Sequence, residues 1–238
     1  MTRAVVCVAT TPAYQRGMER LAESRLAAHS IRLHWQIERG WPSHQEKPYG
    51  FKGYALKEAA ELYDLLLWCD SSVVPVRSME PLWERIERDG AWISHNGWMN
   101  DLWCADSWYA DCFPGMPIEE AREINRQVPH VVATCFGLNV RHEIGAGILA
   151  EYFRLASETR AFCGPWINSN YPGSSAGRGG RAAPCGPPEV MGHRHDQSCL
   201  SLLAHRFGVE LTRPPKFLAY QGGQTEDTIM LVDGSISG

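Results

Sequence analysis

No stretch of this chain approaches the roughly 18 consecutive apolar residues that a bilayer-spanning helix requires, so no membrane span is expected. C-x-x-C spacing is absent among its eight cysteines, Cys7, Cys69, Cys104, Cys112, Cys135, Cys163, Cys185 and Cys199. That removes the common zinc and dithiol arrangements. Most of these cysteines sit in apolar surroundings and read as reduced, buried small hydrophobes. There is no G-x-x-x-x-G-K-[ST], and no G-x-G-x-x-G follows the first apolar run, which argues against a P-loop enzyme and a standard dinucleotide site. A strong charge of either sign is also missing: 23 Lys and Arg against 27 Asp and Glu leave a net charge of −4. A general nucleic-acid coat or a membrane-surface protein needs more positive charge than that, although a local basic groove remains compatible. The opening residues, MTRAVVCVATTPAY, hold only a short apolar run that continues into domain-like sequence, so no signal peptide is read and the cytoplasm is the expected location.

What is present suits one α/β domain. The 238 residues, 44% of them apolar, suffice for one sizeable core. Ala4 to Ala9 reads as a buried strand, Tyr14 to His29 as a helix with its apolar stripe on Met18, Leu21, Ala22 and Leu26, and Ile31 to Ile37 as an alternating second strand. This β-α-β opening predicts a mostly parallel, mixed sheet flanked by helices. Lys47 to Lys57 enters a helix that runs to about Leu62, and the third strand follows at Leu65 to Asp70. Further helices are expected over Ser78–Asp89, Ile118–Arg126, Ile144–Phe162 and the later part of Gly192–Phe207, with strands at Ala91–Ser94 and His130–Phe136. Trp98 to Phe113 shows no clear period. Pro172 to Pro188, rich in Gly, Pro, Ser and Arg, reads as a mobile loop, with Arg178 and Arg181 as anion contacts if it covers a phosphate-bearing ligand. The tail after Gly222 is polar and is expected to be loose.

The chemistry concentrates at two places. LLLWCDSS carries a buried strand abruptly into Asp70, Ser71 and Ser72. A carboxylate at the C-terminal end of such a strand sits at the sheet rim where open α/β folds bind ligands, and it supplies a hard oxygen for a divalent metal. GHRHDQS, opening the last helix, places His193 and His195 on one side of an extended segment. Either histidine is a candidate partner of Asp70 on a metal, or a direct diphosphate contact. Asp196 is a candidate base or sugar-positioning acid. Lys47, Lys52 and Lys57 recur five apart among Tyr49, Phe51 and Tyr54, a mixture of cations and rings suited to a nucleobase and phosphates. Thr10 and Thr11 end the first strand, and Asn96 and Asp101 follow a later one. All four are candidate rim residues. Trp98, Trp103 and Trp108 are candidate sugar-stacking surfaces.

Together these stretches resemble the nucleotide-sugar-dependent glycosyltransferases of the GT-A fold, the glycogenin-like enzymes among them. There, a strand ends in an Asp-x-Asp metal motif and a later Asp-Gln segment opens a helix at the active site. LLLWCDSSVVPV matches the first, with Asp70 on the first acid and Ser72 in place of the second. HDQS matches the second, with Asp196 and Gln197 on its two key positions. KPYGFKGYALKEA is similar to the segment that meets nucleotide and phosphate, and AWISHNGW, HVVATCFGLN and GHRHDQSCLS look like a branch found in bacterial and viral genomes.

The resemblance implies a glycosyltransferase using a nucleoside-diphosphate sugar with Mn²⁺ or Mg²⁺, and a hydroxyl acceptor that is a glycan or a hydroxymethylated base in DNA. It implies catalytic roles for Asp196 and Gln197. Thr10, Thr11, Lys52, Lys57, Asp70, Ser72, Asn96, His193 and His195 are expected against donor and cofactor, and Asp70, His193 and His195 on the metal. Residues 1–94 are expected to hold the nucleotide and 95–221 the acceptor and catalytic groups. The rivals are a metal-dependent nucleotide-sugar hydrolase or nucleotidyltransferase, and a non-catalytic carbohydrate-binding protein.

Overall fold

The strand that carries the motif alternates between two cores. In the computed structural model, which describes residues 1–9, 11–24, 40–174, 182–214 and 216–233, β1 (Arg3–Val6) leads to α1 (Pro12–Glu23), and α2 (Phe51–Ala60) leads to β2 (Leu65–Cys69). Every residue of β2 is buried. Successive strand side chains point to opposite faces. Leu66 and Trp68 therefore enter the core on one face of the sheet, while Leu65, Leu67 and Cys69 enter the core on the other. With helices on both faces, a buried strand reads as one continuous apolar run.

The chain continues through β3 (Val73–Pro75), α3 (Glu80–Asp89) and β4 (Ala91–Met99), a 3-10 turn at Asn100–Trp103, α4 (Asp106–Cys112) and α5 (Ile118–Asn125). Then come β5 (Pro129–Asn139), α6 (Glu143–Glu158), β6 (Ile167–Asn168), β7 (Ala182–Ala183), α7 (His195–Arg206), β8 (Phe217–Tyr220) and β9 (Thr228–Val232). Gly90, left-handed at φ 80°, ends α3. The aperiodic stretch after Trp98 folds as the end of β4, the 3-10 turn and α4, burying Trp108, Tyr109 and Cys112.

The main sheet has the order β1-β2-β5-β4. The α/β class and the mixed sheet are as expected, but the parallel share is smaller. Only β1 and β2 pair in parallel, while β5 runs antiparallel to both β2 and β4. A strand buried on both faces shows the same apolar run whichever way it points, so HVVATCF carries no mark of its direction. The expected strand at Ile31–Ile37 and the residues Thr10, Arg178 and Arg181 lie outside the described residues. Of the expected mobile loop, Asn168 ties down the later part: its amide donates to the carbonyls of Gly186, Pro187 and Val190. No helix among the described residues is long and apolar enough to cross a membrane.

The tail departs from expectation. TIMLV forms β9, the central strand of a second sheet ordered β3-β9-β8, with Ile229 and Met230 buried. The run is short and follows a polar stretch, and its burial comes from pairing with β3 and β8, which no local pattern shows. It also clamps the motif. The Asp233 N–H donates to the Ser72 carbonyl at 2.8 Å, and Arg20 donates to the Asp233 carboxylate at 2.6 Å. From the other side Gly17 of α1 presses on the same turn: a Cβ there would lie 2.2 Å from the Ser71 carbonyl oxygen. Gly17→Ala is therefore expected to cost about 1–3 kcal/mol through overpacking and to displace the Asp70–Ser72 turn. Urea denaturation measures the loss, and an unchanged midpoint would show that the turn yields freely.

Candidate active site

Asp70 directly follows β2 and shares a face with Trp68, two residues earlier. The Trp68 indole N–H donates to Asp70 Oδ1 at 2.7 Å. On that face lies the first turn of α2, which carries Lys52. Two small residues bring this helix close: Gly53 packs against Ala156 of α6, with room for little more than a hydrogen, and Ala55 is fully buried. The Lys52 ammonium reaches Asp70 Oδ1 at 2.9 Å and Asp196 Oδ2 at 2.8 Å, and donates to the Ala133 carbonyl of β5 at 2.9 Å. The rings of Tyr49 and Trp68 lie 5.1 and 5.2 Å from it. Lys52 is 1% exposed. One buried cation thus joins the strand-end acid to the acid that opens α7, two segments far apart in the chain.

The charges follow from this enclosure. Burial pushes the Lys52 ammonium toward losing its proton, but the Asp196 and Asp70 carboxylates outweigh that and hold it above its ordinary value. Burial raises Asp196 to about 6 despite the attraction of Lys52. Tyr49 is raised to about 12, by burial first and then by the Asp196 charge. Two residues at this site adopt positive φ without being glycine, Tyr49 at 59° and His195 at 49°, and their rings lie 5.8 Å apart. Such conformations persist only where surrounding contacts enforce them.

The histidine pair divides. His193 is fully buried; its Nδ1 accepts from the Ala105 N–H at 3.4 Å and its Nε2 faces the Ala161 carbonyl at 2.9 Å. With both nitrogens committed to backbone, His193 is neither a metal ligand nor a phosphate contact. It fastens the entry to α7 to the segment after α6, and burial lowers its pKa to about 3. His195 is turned by its positive φ. Its Nδ1 donates to the Phe162 carbonyl at 2.9 Å, and its ring stacks on Trp166 at 5.7 Å. Its Nε2 makes no hydrogen bond among the described residues.

Several other expectations resolve into structure. The Thr11 hydroxyl caps α1 by accepting from the Tyr14 N–H at 3.3 Å. Lys57 is exposed on α2, away from the buried Lys52. Lys47 donates to the carbonyls of Ala156 and Ser157 at the end of α6. Asn96 closes its own turn by accepting from the Trp98 N–H at 3.1 Å, and Asp101 faces Arg126 at 3.9 Å. Trp108 is core, while Trp98 is 48% exposed. Ser72 holds its place through its carbonyl, and its hydroxyl makes no hydrogen bond among the described residues. The Gln197 side-chain amide is likewise uncommitted there.

Arg194 and Trp166 were not singled out as ligand contacts, yet with Trp103, one of the candidate stacking surfaces, they build the approach to α7. The Arg194 guanidinium lies between the two indoles, 4.2 Å from the Trp103 ring centre and 4.0 Å from that of Trp166, and donates to the Trp166 carbonyl at 2.6 Å. An arginine between two histidines was the only local signal.

A resident divalent ion does not fit these groups. It needs several hard oxygen or nitrogen donors around one point. Asp70 Oδ1 is occupied by Trp68 and Lys52, Asp196 is paired with Lys52, Ser72 replaces the second motif acid, and His193 is spent on backbone. Among the described residues no group of three or more His, Cys, Asp or Glu is arranged to hold a metal. The expected metal role of Asp70, His193 and His195 is therefore not supported by the donor set.

No family model matches the chain, and no curated protein matches it. Solved structures do. A glycosyltransferase involved in the glycosylation of the major capsid of PBCV-1 superposes with a TM-score of 0.55 at 10% identity, over 98% of this chain and 93% of that one. Mouse xyloside xylosyltransferase 1 gives 0.46 at 8% identity, over 100% and 98%. The glycosyltransferase GlyE of Streptococcus pneumoniae gives 0.45 at 14% identity, over 91% of this chain and 46% of that one. The likeness to the capsid glycosyltransferase shows the fold: a mixed α/β domain that this chain shares with that protein over nearly its whole length.

Proposed function

We propose that this protein is a glycosyltransferase that moves a sugar from a nucleoside-diphosphate sugar to a hydroxyl acceptor, a glycan or a hydroxymethylated base in DNA. The observation that carries the reading is the meeting of Asp70 and Asp196 on Lys52 at the carboxyl edge of β2, within a glycosyltransferase fold. Ligands of open α/β sheets bind at that edge. The nucleotide lies against residues up to Ser94, and the acceptor against those that follow.

In the reaction the bond from the sugar's anomeric carbon to the diphosphate breaks with its electron pair on the departing nucleoside diphosphate, a bond to the acceptor oxygen forms, and the acceptor's proton passes to the released diphosphate or to solvent. The chain's contribution is positioning and electrostatics. Asp196, held in one orientation by Lys52, presents a carboxylate to the donor sugar. Gln197, beside it on the first turn of α7, offers a free amide. Asp70 keeps one carboxylate oxygen uncommitted among the described residues. The His195 Nε2 is an acceptor while Nδ1 holds the proton, and burial lowers this histidine to about 4, so it is neutral at pH 7. Eight free cysteines, most of them buried, suit a reducing compartment, and we place the protein in the cytoplasm.

Thermal shift against a panel of nucleoside diphosphates tests the donor. One nucleotide at a hundred times its dissociation constant stabilises the fold by about 2.7 kcal/mol. A melting point unmoved by every nucleotide would remove the transferase reading. Consumption of the matching nucleotide sugar without an acceptor would turn it into a hydrolase.

A further inference from the structure

Lys52 stands where the two acids of the site converge: its ammonium pairs with Asp70 and Asp196 and donates to the Ala133 carbonyl. Tyr49 and Trp68 cover it with their rings. The first turn of α2 is held deep by the approach of Gly53 to Ala156, so the ammonium has no open route to solvent. We propose that Lys52 is the built-in cation of this site, standing where a divalent metal would bridge two carboxylates, so that a nucleoside diphosphate binds here without metal assistance. The inference rests on the reading of the site as a nucleotide-sugar site.

Three independent observations converge on it. First, the chain lacks the second motif acid: Ser72 stands there, and its carbonyl, not its hydroxyl, is fixed by Asp233 and Arg20. An acid that would need a metal's charge beside Asp70 is absent. Second, the acid that does face Asp70 comes from α7, and its charge is already met by the ammonium. Third, a divalent ion placed close enough to bridge Asp70 and Asp196 would sit beside a buried, permanently charged ammonium, and like charges in a poorly solvated site repel strongly. A fixed ammonium also removes most of the repulsion that two bare carboxylates would exert on an incoming diphosphate. Its partners hold it in place, so the site does not reorganise as the ligand arrives.

The test uses the full chain and two probes. Mn²⁺ alone is titrated into the protein and followed by the paramagnetic signal of the free ion. UDP and GDP are then titrated in EDTA and again in Mn²⁺. The expected result is that the protein alone leaves the free-ion signal unchanged. Nucleotide affinity should change by less than about threefold between the two conditions, under 1 kcal/mol on the affinity scale. Lys52→Met frees the two acids, and this variant should acquire Mn²⁺ binding that the parent lacks. Should that variant fail to fold, the titrations of the unaltered protein still decide.

Mn²⁺ bound by the parent and lost in Asp70→Asn would overturn the proposal, as would nucleotide binding only when Mn²⁺ is present. If neither nucleotide binds in either condition, the transferase reading fails for those nucleotides, and the Mn²⁺ titration alone judges the role of Lys52.

Discussion

Lys52→Met is expected to lower folding stability by about 3–5 kcal/mol at neutral pH, the range for removing one partner of a buried ion pair. Methionine fills the same volume, so the loss does not come from a cavity. It comes from Asp196, 4% exposed, and the partly covered Asp70 losing the cation that offsets their burial. The pH dependence follows with a definite sign. Asp196 already has a folded-state pKa of about 6 against an ordinary 3.8. A carboxyl raised on folding adds stability below its unfolded pKa, and that stability is lost as pH rises through the folded value. Without Lys52 the raised value climbs further, so the variant loses stability over a wider span toward high pH. The gap between parent and variant should therefore be widest above pH 7 and narrow toward pH 5, where protonation relieves the buried charge. Denaturant unfolding at the two pH values measures it. A gap that stays constant would mean that Asp196 and Asp70 do not depend on the ammonium.

Asp196→Asn carries the largest expected effect on activity. The amide keeps the shape of the carboxylate and a polar oxygen beside Lys52, so the fold is expected to be retained, but the charge that faces the donor is gone. Transfer efficiency should fall by about 10²-fold or more, the scale of misplacing or removing a positioned acid–base group. The parent should lose activity as pH falls through about 6, where Asp196 takes up its proton, while the residual activity of the Asn variant should be flat through that range. Initial rates of sugar transfer between pH 5 and 8 read both quantities. An Asn variant that keeps the acid limb would assign that limb to another group.

Much of the site was legible because its two halves are locally marked. LLLWCD can only be buried, and a carboxylate ending such a run has to emerge at the rim. The cluster HRHDQ before an amphipathic run marks the start of α7. What the pattern could not sort was commitment. His193 and His195 look equivalent in the chain, yet one has both ring nitrogens on backbone carbonyl and amide groups while the other keeps Nε2 open. The three lysines around Tyr49, Phe51 and Tyr54 look alike too. Lys47 ends on the carbonyls of α6, Lys57 lies in solvent, and Lys52 alone is buried. Helical geometry puts Lys52 and Lys57, five apart on α2, on different sides, while Lys47 precedes the helix, where no helical period applies. Thr11 went to a helix cap, which a hydroxyl before a proline-led helix serves as well as a ligand does.

The amino-acid order alone determined the strands of the core, most of the helices and the placing of Asp70 and Asp196 at element ends. These depend on hydropathy period and on stop signals that act within a few residues. The direction of β5, the recruitment of the C-terminal strand as a clamp on Ser72 and the closing of Lys52 between two distant acids were decided only in three dimensions. Each is a contact between segments remote in the chain, and its free energy comes from burial and charge pairing that exist only once the sheet has brought those segments together.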